Sequence, residues 1–86
     1  MSPSCETDVV LPAHLHARPA GALVRAAARF SSTVEVTYAG RTANARGVLA
    51  LMSLGAMAGA TVTLQATGDD AEEALKAAAE ALYAAE

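Results

Sequence analysis

Two histidines, His14 and His16, stand two positions apart, and Arg18 and Pro19 follow closely. A neutral imidazole is a nucleophile, and a guanidinium presents a planar fork of donors that fits phosphate oxygens. Side chains of these types suit phosphoryl transfer, where a protein supplies position and positive charge and little covalent work. The two histidines could also begin a metal site. No clear third ligand accompanies them, and closed sites want four. No metal and no cofactor are expected.

Position is what decides whether His16 can do this chemistry. Proline is tolerated in the first turn of a helix, where its missing N–H would have no partner. Beyond Pro19, residues Ala20, Leu23, Val24 and Ala27 recur at the spacing of one helix face. Arg25 and Arg29 lie off that face. The spacing predicts a helix over about residues 17–29, with His16 at its N-terminus. There the first-turn N–H groups lack partners, and the macrodipole adds roughly half a positive charge. Such an end is a ready anion site. A phosphate on the ring could accept hydrogen bonds from the amides near Ala17 and Arg18, and the Arg18 guanidinium adds a charged clamp.

The other elements follow from alternation and breakers. Glu6 to Pro12 alternates loosely and reads as a strand, with Thr7, Val9 and Leu11 on one side. Thr33 to Tyr38 and Arg41 to Ala45 read as a hairpin around Ala39-Gly40. Thr61 to Thr67 alternates cleanly, with Val62, Leu64 and Ala66 inward. Asp70 and Glu73 resemble a capping box at the start of the last helix. That helix carries an apolar stripe of Ala71, Leu75, Ala78 and Leu82. Gly47 to Leu54 reads as a short helix, apolar nearly all round. Its residues Val48, Leu49, Leu51, Met52 and Leu54 cannot all face inward, so part of it is expected to be exposed as a partner surface. The order is strand, helix, strand, strand, helix, strand, helix. One sheet with helices on a single face, an α+β two-layer domain over residues 1–86, is the economical arrangement.

Composition narrows the function. Hydrophobic residues make up 53% of the 86 and charged residues 17%, which favours a folded chain over a disordered one. A net charge of −3 with scattered arginines argues against nucleic acid as a partner. No apolar run approaches the ~20 residues of a membrane span. No basic segment precedes an apolar one near Met1, so no secretory signal is read and a cytoplasmic location is expected. The single cysteine, Cys5, forms no internal disulfide and is expected to sit near a frayed N-terminus.

His16-Ala17-Arg18-Pro19-Ala20 resembles the active-site signature of HPr, the histidine-containing phosphocarrier family of the bacterial sugar phosphotransferase system. Leu51-Met52-Ser53-Leu54-Gly55 resembles that family's second segment, and both motifs fall in register along essentially the whole chain. The resemblance implies an open-faced β-sandwich, a four-stranded antiparallel sheet with three helices in the order βαββαβα. It implies that His16 takes a phosphoryl group on Nδ1 from phosphoenolpyruvate-charged enzyme I and passes it to enzyme IIA domains of sugar permeases. Arg18 matches the family's active-site arginine. Val48, Leu49 and Met52 fall where the family docks its partners, and Ala20 and Arg46 join them as expected docking residues. A monomer is expected.

Two positions depart from the family pattern. Gly47 stands where many relatives from low-GC Gram-positive bacteria carry a regulatory serine, and glycine cannot be phosphorylated. Ser53 matches a different position and does not inherit that role. His14 replaces a glycine common two places before the active histidine. Alternatives are a carrier in a regulatory branch, nitrogen-related or serving dihydroxyacetone kinase, and a binding module that keeps the fold without phosphotransfer. The intact His16, Arg18 and Pro19 speak against the last. A Ser-His-Asp hydrolase is not readable from these residues.

Overall fold

The computed structural model describes residues 3–84. Its elements run β1 (Ser4–Val10), α1 (Ala17–Ala27), β2 (Thr33–Tyr38), β3 (Arg41–Asn44), α2 (Val48–Met52), β4 (Thr61–Thr67) and α3 (Ala71–Ala84). The four strands form one antiparallel sheet in the order β1-β4-β2-β3. This is the expected α+β arrangement.

Alternation builds the sheet's two faces. Val9, Val34, Val36, Val62, Leu64 and Ala66 are buried beneath the helices, together with Leu23 of α1 and Leu82 of α3. Opposite them lies a polar face. There Asp8 accepts a hydrogen bond from the Thr63 hydroxyl at 2.8 Å, and Thr37 pairs with Thr42 at 2.9 Å. The β2–β3 turn places Ala39 at φ 52° and Gly40 at φ 79°. Both central residues in the left-handed region match the twist of a two-residue hairpin loop.

Helix α1 ends two residues earlier than its apolar spacing predicts. The amides of Arg29 and Phe30 reach back three residues, to the carbonyls of Ala26 and Ala27 at 3.3 and 3.2 Å. This tighter turn terminates the α-helical pattern. Cys5 also departs from expectation. It is a half-buried strand residue paired with Ala66, packed against the core. In α3, Ala74 takes the buried position expected of Leu75, which is only half-buried.

The largest departure concerns Asp70. It does occupy the N-cap position of α3, and its carbonyl accepts the Ala74 amide at 2.9 Å. Its carboxylate, however, reaches away from its own helix. It accepts from the amides of Ser31 and Ser32 at 3.0 and 2.9 Å, and from both serine hydroxyls. The loop after α1 is thereby tied to the start of α3. Gly68 allows the approach, because at φ 145° a Cβ there would lie 2.8 Å from the Ser32 Cα.

These donors, the Ser32 hydroxyl first and the Ser31 amide next, hold the Asp70 carboxyl at about 2, below its ordinary 3.8. A carboxyl lowered by folding contributes stability above its unfolded value and loses it as pH falls through the folded one. The urea midpoint of the wild type should therefore fall between pH 4 and pH 2 by more than that of Asp70→Asn. Parallel curves for the two proteins would remove Asp70 from the acid response.

Candidate functional site

The β1–β4 ladder continues past its last strand pair and carries the chain to His16. The Leu11 amide bonds the Ala60 carbonyl at 2.9 Å, and the Gly59 amide returns to Leu11 at 2.9 Å. After Pro12 the Leu15 amide bonds the Ala56 carbonyl at 2.9 Å. Leu11 and Leu15 are both buried. Two anchored leucines thus fix the segment that delivers His16 to the start of α1.

His16 is the N-cap residue. Its backbone is extended, with φ −89° and ψ −167°, and its carbonyl accepts the first helical bond from Ala20 at 3.0 Å. Its side chain caps as well: Nδ1 accepts from the Arg18 amide at 3.3 Å. Serine, aspartate and asparagine are the usual caps. An imidazole in that role must offer an unprotonated nitrogen, and a ring with its proton on Nε2 meets that need with the Nδ1 lone pair toward the helix end.

The ring is half-buried, and Ala17 and Arg18 beside it are exposed. No acidic residue occupies the first turn of α1. The site therefore combines an imidazole nitrogen with an available lone pair, a positive helix end and an exposed arginine two residues on. The His14 ring lies beside that of His16, with centroids 4.5 Å apart and planes inclined at 58°. Among the described residues no group of three or more metal-ligating side chains occurs.

The expected docking residues divide. Leu49 is 80% exposed and Met52 36%, and Arg46 also faces solvent, while Val48 is half-buried. Leu51 and Leu54 turn inward and anchor α2. Ala20 does not belong with the docking residues: it is 0% exposed, because its place on the apolar face of α1 puts it in the core. Sequence reasoning missed Met57, 62% exposed in the loop between Gly55 and Gly59. It adjoins Ala56, whose carbonyl holds Leu15. A large apolar residue between two glycines was the available signal.

Gly47 caps α2 with no side-chain bond and with an ordinary φ of −119°. A Cβ there would meet Ala50 at a comfortable 3.5 Å. The backbone there has room for a Cβ, and the glycine carries no side chain and so no hydroxyl.

Comparison with known proteins agrees with this geometry. The family model described as the PTS HPr component phosphorylation site matches residues 3–84. The chain belongs to the HPr family of phosphocarrier proteins. Among solved structures, the phosphocarrier protein HPr of Bacillus anthracis is 34% identical, with a TM-score of 0.85 over 92% of this chain and 96% of that one. The catabolite repression protein Crh of Bacillus subtilis, described as a domain-swapped dimer, is 41% identical, with a TM-score of 0.76 over 87% of this chain and 86% of its own. An HPr dimer from Thermoanaerobacter tengcongensis is 45% identical, with a TM-score of 0.71 over 77% and 76%. The described residues contain no helix long and apolar enough to cross a membrane.

The split of α2 into an anchored and an exposed side has a direct consequence. Leu51→Ala should lower stability by about 2–5 kcal/mol through the cavity it leaves. Leu49→Ser should change it by less than about 0.5 kcal/mol. Denaturant unfolding of both variants checks this. Equal losses would mean that Leu49 is packed.

Proposed function

We propose that this chain carries a phosphoryl group on His16 Nδ1, accepting it from enzyme I and delivering it to enzyme IIA domains of sugar permeases. The observation that carries the reading is the hydrogen bond from the Arg18 amide to Nδ1. It aims the nucleophilic lone pair at the positive end of α1.

The transfer needs no net proton. The Nδ1 lone pair attacks the donor's phosphorus, the bond from that phosphorus to the donor breaks, and its electron pair returns to the donor atom. The Arg18 amide then loses its nitrogen acceptor and finds a phosphoryl oxygen close by. The Ala17 amide and the Arg18 guanidinium serve the other oxygens, and charge-assisted bonds of this kind are the stronger ones. Delivery to the acceptor reverses the exchange.

Partners would dock on the exposed apolar side of α2, through Leu49, Met52 and the edge of Val48, with Arg46 and Met57 flanking. Helix α2 packs against α1, and the Leu15–Ala56 bond joins its exit to the His16 segment. This supports one continuous surface for nucleophile and docking patch. All these residues come from one copy, so the reading requires only a monomer; sedimentation decides whether this chain shares the dimeric state described for two of its relatives. It also implies a cytoplasmic carrier.

The likeness to Crh favours a second reading, a carrier in a regulatory branch. It uses the same His16 chemistry with different acceptors. Regulation through a phosphoserine at position 47 has no place in either, since Gly47 offers no hydroxyl.

Incubation with phosphoenolpyruvate and an active enzyme I should add one phosphoryl group by intact mass. The group should be lost in acid and absent in His16→Ala, with folding retained. A gain that survives in His16→Ala would overturn the assignment. Arg18→Lys should slow acceptance by roughly tenfold, because an ammonium lacks the planar fork. A lysine variant as fast as wild type would remove the guanidinium from the transfer.

A further inference from the structure

The bond that aims His16 is weak for its task. At 3.3 Å and exposed to solvent, the contact between the Arg18 amide and Nδ1 sits at the long end of hydrogen-bond geometry. Torsion about the bond from Cβ to an imidazole is broad and roughly two-fold. A swing of the ring plane about it would take the Nδ1 lone pair out of line with the Arg18 amide. A contact that fixes the plane would keep the two in line.

We propose that His14 is a positioning residue that holds the plane of the His16 ring, so that Nδ1 stays in line with the Arg18 amide. The inference rests on His16 being the phosphoacceptor. Ring centroids 4.5 Å apart with planes at 58° fall within the range of favourable aromatic pairs. The backbone makes the pairing reproducible. The His16 amide donates to the His14 carbonyl at 2.8 Å, which curls the chain around Leu15. Leu15 is buried and tied to Ala56, so the residues on either side are turned outward together. His14 is exposed, and the His16 ring is the neighbour its own ring meets. It touches no phosphate in this account and acts only through His16.

The test compares His14→Ala with His14→Phe, which keeps an aromatic ring and removes its nitrogens. Long-range ¹H–¹⁵N spectra of the unphosphorylated proteins, taken where both imidazoles are neutral, report the His16 tautomer. The wild type should show the proton on Nε2. His14→Ala should shift the population toward the other tautomer, and His14→Phe should restore it. In steady-state phosphorylation by enzyme I, His14→Ala should lower kcat by roughly two- to tenfold, the range expected for losing one ring pair, with KM for the carrier unchanged. His14→Phe should recover the rate. A wild-type tautomer and rate in His14→Ala would overturn the proposal, as would a phenylalanine variant no better than alanine. The spectra do not require phosphorylation. A wild type that takes up no phosphoryl group would refute the carrier reading while the tautomer comparison still judges His14.

Discussion

A helix leaves its first N–H groups without partners, and something must face them. In this protein the cap that faces them is an imidazole, bonded through Nδ1 to the Arg18 amide. Better caps exist, and the choice of histidine costs the helix some of the stability a serine or aspartate would supply. It gains, in the proposed reading, a nucleophile whose lone pair faces the positive end of a dipole. In the proposed reading, the product of the reaction satisfies the same amides better than the ring did. The anion that forms on Nδ1 brings several charged acceptors to donors that had one distant nitrogen.

That arrangement is useful only if α1 cannot shift, and both of its ends are fixed. At the N-terminal end the bonds of Leu11 with Ala60 and Gly59, and of Leu15 with Ala56, extend the sheet's ladder to the residue before His16. At the other end the Asp70 carboxylate gathers the amides and hydroxyls of Ser31 and Ser32. Between these points α1 lies against α3 and α2, with Leu23 and Ala20 wholly buried. A small core without tryptophan can do this because alanine-rich faces let helix and sheet approach closely. The exposed side of α2 then sits on a helix packed against α1.

Much of this was legible in the residues, and the exceptions have physical reasons. Thr33 to Tyr38 and Thr61 to Thr67 alternate strictly between breakers, and both strands have the bounds that pattern predicts. His16 could be placed at a helix start from Pro19 and the apolar spacing behind it. Asp70 misled because a capping box is a local pattern, whereas its real partners lie 38 and 39 residues away. Ala20 posed a conflict between two readings, family docking residue and core face of a helix; burial decided for the core. Met57 lies in a loop without period, where the one mark of exposure was a large apolar residue set between two glycines. The His14–His16 contact depends on the curl around Leu15, which spacing alone does not specify.

What the helix end does when His16 carries a phosphoryl group decides whether α1 cradles it. The direct measurement is a long-range ¹H–¹⁵N spectrum of the ¹⁵N-labelled phosphoprotein, with phosphorus coupling resolved and the backbone amides assigned. Phosphorus bonded to Nδ1, with the Ala17 and Arg18 amide protons shifted downfield from their unphosphorylated positions, is the predicted result. Phosphorus on Nε2, or amides at Ala17 and Arg18 that do not move, would contradict it.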